Sequence, residues 1–273
     1  MNKTSKSEIQ IKAPNIKLKN DVEKWNEKIH PDLPHLPFFI GIIGPRHRGK
    51  SVLLYNLLDS KNEKLYGQLF KKDNIILYSP TYDWDMTLHN LKLVHTYTNK
   101  DNVHELVTSM KDQQEQHRKT NNVAPVLFVL EDITNIPDAF NVLMDLGYTG
   151  RHFNIHVLYV AHKMSSINRG VRTQTQQWIL FEPHEQSEWQ WILESFSRIK
   201  TQRIWENALR RAWSKPFNFV LIDYEEKDVI RIYRDGFHDP LFTNEELNAL
   251  TATDQDIKSF VKNPLKSRDD EIQ

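Results

Sequence analysis

From Phe38 onward, short runs that are almost wholly apolar alternate with longer stretches in which apolar residues recur every three or four positions. The short runs are Phe38–Ile43, Asn74–Tyr78, Leu91–Tyr97, Val126–Leu130, Ile155–Val160 and Gln177–Phe181. Runs apolar on both faces suit strands of a buried parallel sheet. The periodic stretches predict helices over Lys50–Leu58, Val103–Lys119, Pro137–Leu146, Glu185–Phe196 and Gln202–Trp213. This alternation predicts an α/β fold with a mostly parallel central sheet flanked by helices. Phe217–Asp223 and Asp228–Arg234 read as two further strands, a hairpin about Glu225 and Glu226.

Outside this pattern the chain is polar. Residues 1–36, with Pro14, Pro31 and Pro34, read as a polar N-terminal arm holding a short helix near Val22–Ile29. Residues 37–238 read as the folded domain and 239–273 as a polar tail. In the tail, helices are expected over Asn244–Leu250 and Asp254–Val261, with disorder from Lys262 to Gln273.

Composition narrows the chemistry. With 39% hydrophobic and 11% aromatic residues among 273, the chain can bury a sizeable core. Lys and Arg number 36 and so do Asp and Glu, so a passive nucleic-acid coat protein is excluded and any nucleic-acid contact must be local. No cysteine is present, which excludes disulfides, thiolate zinc sites and cysteine nucleophiles. No apolar run nears the roughly 20 residues that span a bilayer, and Met1–Lys19 lacks the apolar core of a secretory signal.

The sharpest motif follows the first strand. Gly44-Pro45-Arg46-His47-Arg48-Gly49-Lys50-Ser51 fits the phosphate-binding P-loop at every fixed position. Glycines let the backbone close round phosphates, and a helix beginning at Lys50 turns its positive dipole end toward them. Lys50 then reaches the β- and γ-phosphates, and the Ser51 hydroxyl binds Mg2+. Arg46 and Arg48 are either further phosphate contacts or solvated loop charges. No Asn-Lys-x-Asp guanine-reading segment is present, so ATP is the expected nucleotide.

A P-loop needs an acid at a neighbouring strand end. Val126–Leu130 runs into Glu131 and Asp132, a Walker B pattern. Glu131 is assigned to the Mg2+ shell and Asp132 to the attacking water, although the roles could be exchanged. His162, after the strand from Ile155, is either a γ-phosphate sensor or a strand-end histidine bonded to a loop. His152 and His156 have no metal-ligand spacing and read as structural.

Several of these segments together resemble the DNA-packaging ATPases of large double-stranded DNA viruses, the poxvirus-type branch of the FtsK–HerA superfamily. They are the P-loop, the apolar Walker B strand, Gly150-Arg151-His152-Phe153-Asn154-Ile155, Ala161-His162, the loop Asn168–Arg172, and Asp235-Gly236-Phe237. The resemblance spans roughly Phe38 to Phe237. It departs in placing Glu before Asp in the acid pair and in carrying His162 where the family commonly has Gln. It implies a RecA-like core, a homo-oligomeric ring, and ATP- and Mg2+-driven movement of double-stranded DNA into a capsid through its portal vertex. It also implies a viral protein of the host cytoplasm or the virion, with no membrane partner. A ring would complete each site with a neighbour's arginine; Arg151 and Arg172 are the candidates, Arg151 preferred unless it pairs locally with Asp145. Lys163, Arg169 and Arg172 are the DNA-contact candidates, or surface charges. The alternative function is another P-loop ATPase, helicase-like or a nucleotide switch, outside packaging.

Overall fold

A computed structural model of the chain describes residues 18–98, 101–120, 123–196 and 202–247. The elements in chain order are α1 (Leu18–Asn26), β1 (Phe39–Ile43), α2 (Lys50–Leu58), α3 (Tyr66–Phe70), β2 (Ile75–Tyr78), α4 (Met86–His89), β3 (His95–Tyr97), α5 (Val103–Lys119) and β4 (Val126–Leu130). Then follow α6 (Ala139–Thr149), β5 (Ile155–Ala161), α7 (Arg169–Gln174), β6 (Gln177–Phe181), α8 (Gln186–Phe196), α9 (Gln202–Trp213), β7 (Phe219–Asp223), β8 (Tyr233–Asp235) and β9 (Asp239–Pro240).

The nine strands among the described residues join one sheet in the order β3-β2-β4-β5-β1-β6-β7-β8-β9. The six from β3 to β6 run parallel, and β7, β8 and β9 continue antiparallel. Alternate strand residues serve opposite faces. Phe39 and Ile43 enter the core under α5 to α9, whereas Ile40 and Ile42 enter the core under α2 to α4. Covering both faces explains why the strands read as unbroken apolar runs. A single strand, β5, stands between β1 and β4. The carboxyl ends of the parallel strands therefore lie along one sheet edge, and the loops that leave them converge there.

Several expectations change. The Leu91–Tyr97 strand contracts to His95–Tyr97, because Leu91 and Leu93 are buried in the turn before it. Asp228–Arg234 is not one strand: Asp228 accepts a hydrogen bond from Ile230 N at 3.0 Å and caps a 3-10 turn, so β8 starts at Tyr233. Asn168–Arg172 is not an open loop, since Asn168 caps α7 through Val171 N at 2.8 Å.

The arm and tail boundaries also move. Ile29, Leu33 and Leu36 are buried against the α2 face, and Leu241 and Phe242 are buried near Trp205. The packed unit thus extends beyond 37–238 at both ends. A polar seam fixes the early segment to the last strands. Asp32 accepts from Arg231 Nη2 and pairs with His238 Nδ1, each at 2.7 Å. The fully buried Arg234 donates to Asp32 O at 2.6 Å and to Asp223 at 3.2 Å. Residues 244–247 are helical; the rest of the expected Asn244–Leu250 helix, the Asp254–Val261 helix, the Lys262–Gln273 segment and residues 1–17 lie outside the described residues.

Candidate functional site

The phosphate-loop motif leaves β1 and ends in α2. Gly44 N donates to Ala161 O at 3.2 Å, tying the loop to the end of β5. A Cβ on Gly44 would stand 2.6 Å from Phe181 Cβ, so no larger residue fits. Gly49 takes φ 96°, in the left-handed region where glycine carries no steric penalty, directly before α2. That turn aims the free N–H groups of the first helical turn, with Ser51 among them, at the loop.

Lys50 is buried, and its Nζ donates to Pro45 O at 2.8 Å. Burial lowers its pKa to about 8, against the opposing pull of Glu131 and Asp132 and with a further downward push from Arg46. Arg46 and His47 are exposed. Arg48 faces away from this role: it pairs with Glu182 at 2.9 Å and donates to His184 at 3.0 Å, bracing the loop against the turn after β6.

Both acids at the end of β4 are buried and differently held. Glu131 Oε2 accepts from Ser79 Oγ at 2.9 Å and Thr81 Oγ1 at 3.2 Å, hydroxyls that follow the adjacent strand β2. Burial raises the Glu131 pKa, and those hydroxyls oppose the rise. Asp132 stands at φ 55°, with Thr134 Oγ1 at 3.2 Å on one oxygen and Asn135 Nδ2 at 2.6 Å on the other.

His162 bridges the two halves because β5 lies between β1 and β4. Its Nδ1 is 3.4 Å from Lys50 Nζ and its Nε2 is 3.4 Å from Asp132 Oδ1. Burial, then the Lys50 charge, lowers its pKa, and Asp132 opposes the fall. The loop beyond it is anchored by buried Glu188 of α8, which accepts from Met164 N at 2.8 Å and Ser165 N at 3.4 Å. A cavity of about 370 Å3 opens beside this loop, lined by Gly44, Pro45, His162, Phe181, His184 and Glu188 among others.

The structure does not gather every residue singled out in the sequence. Arg151 lies in the 3-10 turn before β5, at the opposite sheet edge from the phosphate loop. It is exposed, makes no ion pair among the described residues, and lines a cavity of about 920 Å3 with Asp32, His35, Gln174 and Arg231. Asp145 pairs with Lys111 at 2.5 Å instead. Arg172 is committed elsewhere: it donates to Ile167 O and stacks 4.6 Å over the Trp191 ring. Lys163 pairs with Glu185 at 2.5 Å at the surface, and Arg169 is exposed. His156 is buried between Phe38 and Phe70, with Nε2 3.1 Å from Asn154 Oδ1.

Sequence reasoning missed Ser79, Thr81, Asn135 and Glu188. For the first two a signal existed: polar residues end the apolar run Ile75–Tyr78 as the acids end Val126–Leu130. In a parallel sheet adjacent strand ends lie level, and here Tyr78 pairs with Leu130.

Ser51 offers a hydroxyl oxygen and Glu131 a carboxylate oxygen, hard donors of the kind Mg2+ takes. Buried Lys50 and the N–H groups that open α2 suit an anion, and the Asp132 carboxylate stands near that Lys50.

The sequence profile of the family described as "Poxvirus A32 protein" matches residues 28–209. No curated protein matches the chain significantly. Among solved structures, B204, the DNA-packaging ATPase from Sulfolobus Turreted Icosahedral Virus, aligns at 14% identity and a TM-score of 0.49, covering 69% of this chain and 93% of that one. The cytoplasmic domain of the type VII secretion ATPase EccC from Thermomonospora curvata aligns at 18% identity and 0.47, covering 70% and 24%. ATPases 2 and 3 of EssC from Geobacillus thermodenitrificans align at 16% and 0.45, covering 55% and 33%, so this chain spans a third of that structure.

Proposed function

The chain belongs to the poxvirus A32 protein family, and on that premise we propose that it hydrolyses ATP to drive double-stranded viral DNA into a capsid. The observation that carries the catalytic part is the chain of contacts from Lys50 through His162 to Asp132, 3.4 Å at each step, at the end of the phosphate loop.

In this reading the N–H groups opening α2, together with Lys50, grip the β- and γ-phosphates. Ser51 and Glu131 would hold Mg2+, which would neutralise charge on the phosphate oxygens. Ser79 and Thr81 keep the Glu131 carboxylate in place. Asp132, braced by Thr134 and Asn135, orients the water that attacks the γ-phosphorus; the bond to the β–γ bridging oxygen breaks, releasing ADP and phosphate. His162 Nε2–H, which faces Asp132, would turn to donate to the γ-phosphate or to that water. Arg151, on the far edge, acts on a neighbour's nucleotide in a homo-oligomeric ring, since its own phosphate loop is out of reach. The committed guanidinium of Arg172 favours Arg151 over it for that role.

DNA contact falls to the surface after β5, where Lys163 and Arg169 are exposed. Among the described residues no helix is long and apolar enough to cross a membrane. In this reading the chain works in the host cytoplasm or the virion, at a portal vertex.

ATP turnover measured with and without duplex DNA tests this reading. Wild-type turnover should rise with duplex DNA, and Lys50→Ala should lower it by at least about 100-fold in a folded protein. Near-normal turnover in that variant would remove the phosphate-loop assignment. Turnover indifferent to DNA would favour a nucleotide switch. Lys163→Ala with Arg169→Ala should flatten the salt dependence of DNA stimulation, because every DNA phosphate left without its cationic partner keeps its counterion.

A further inference from the structure

Phe217 stands exposed beside the phosphate loop in a conformation that aromatic residues rarely adopt. The residue is 70% exposed and its φ is +58°, in the left-handed region. A Cβ built on Gly49 would meet Phe217 Cβ at 3.5 Å and Cδ1 at 3.6 Å, so this side chain lies directly over the glycine that precedes Lys50. The topology explains the approach. β7 pairs antiparallel with β6, placing Phe219 opposite Phe181, so the turn from α9 into β7 emerges at the edge that carries the phosphate loop.

That turn is fastened on both sides of Phe217. Lys215 Nζ pairs with Asp235 at 2.8 Å, Asn218 Nδ2 donates to Ala212 O at 2.8 Å and also to Asp235, and Asn218 N donates to Lys215 O at 3.3 Å. Beneath it the rings of Phe181, Phe219 and Phe237 pack in sequence, with centroids 5.6 and 4.8 Å apart. Backbone strain is retained where the surroundings enforce it, and it gathers at ligand sites. Here the surroundings hold an apolar ring in solvent beside the glycine that precedes the phosphate-gripping lysine.

We propose that Phe217 is the stacking platform for the purine base of the nucleoside triphosphate whose phosphates the Gly44–Ser51 loop holds. The inference rests on the phosphate-site reading above and adds the base end of the same ligand. Stacking recognises a flat π face without reading its edge, so purine nucleotides are favoured as a class.

Titration with two probes, ATP and inorganic tripolyphosphate, separates the base end from the phosphate end. Phe217→Ala should weaken ATP about tenfold, equivalent to about 1.4 kcal/mol, and leave tripolyphosphate affinity unchanged. Phe217→Trp should keep ATP affinity. Phe217→Gly should weaken ATP as the alanine does while raising the melting temperature, because glycine relieves the positive φ. ATP affinity unchanged in Phe217→Ala would overturn the proposal, as would equal loss of ATP and tripolyphosphate in a folded variant. If wild-type protein binds tripolyphosphate no better than Lys50→Ala does, the phosphate site itself fails and the base platform falls with it.

Discussion

Ser79 Oγ lies 2.9 Å from Glu131 Oε2, and the two residues follow neighbouring strands, β2 and β4. Thr81 Oγ1 donates to the same oxygen at 3.2 Å. A hydrogen bond to a charged group is worth about 1.5–3 kcal/mol. Ser79→Ala combined with Thr81→Val should therefore raise the Mg2+ concentration for half-maximal ATP hydrolysis by about tenfold. A Mg2+ titration at saturating ATP reads this, and an unchanged midpoint would leave the two hydroxyls a purely structural role.

The acids should separate by phenotype. Asp132→Asn is expected to bind ATP normally and to lose about 100-fold in turnover, the scale of a positioned acid–base group. Glu131→Gln should chiefly weaken Mg2+-dependent binding. Nucleotide binding and single-turnover hydrolysis, measured on both variants, decide the assignment; reversed phenotypes would exchange the roles.

How much of this was legible in the sequence depends on what fixes each feature locally. The α2 bounds were readable because Gly49 opens the helix and Leu54, Leu57 and Leu58 recur at helical spacing. Val126–Leu130 was readable because burial on both faces leaves no polar position. α7 was not, because six residues with Gly170 among them carry too little periodicity, and only the Asn168 cap marks the start. The Asp228 turn hid within a β-branched run. Strand order is a tertiary fact, so the bridging position of His162 and the grip of Ser79 on Glu131 could not be read from any one segment. Phe217 looked like the first residue of a strand, and only its backbone and exposure distinguish it.

Arg151 and Lys50 sit at opposite edges of one sheet, which makes complementation between subunits the decisive measurement. Arg151→Ala alone should lower turnover by about 1,000-fold, the lower range for an arginine supplied to a phosphoryl transfer. Mixed with Lys50→Ala subunits, it should regain activity where an intact phosphate loop meets an intact arginine. Mixed oligomers that form and stay inactive would confine Arg151 to its own subunit.

Acid should weaken the fold through His156. Burial holds its folded pKa at about 3, far below the roughly 6.5 of an unfolded chain. Below pH 6.5 the unfolded chain takes up a proton that the folded one refuses, so stability falls with pH by about 1.4 kcal/mol per unit. His156→Phe, seated between Phe38 and Phe70, should remove that slope. Urea unfolding at pH 7 and pH 5 should show wild type losing about 2 kcal/mol more than the variant; parallel losses would contradict it.

The seam at Asp32 has a consequence for how the polypeptide emerges from the ribosome. Its partners Arg231, Arg234 and His238 come 199, 202 and 206 residues later. Ile29, Leu33 and Leu36 can pack on α2 early, but the Asp32 carboxylate gains its partners only once His238 has been made. The central strand β1 is in the same position, since both its neighbours, β5 and β6, are made more than 100 residues after it. Long-range pairing of this kind defers folding of the early segments until the distant strands have emerged. Stalled chains exposing residues only as far as Asn154, before either neighbour of β1, should be cut by protease within the Phe38–Leu58 segment, and chains exposing residues through Leu247 should resist. The segment around Asp32 and the antiparallel strands that hold it thus become structured together.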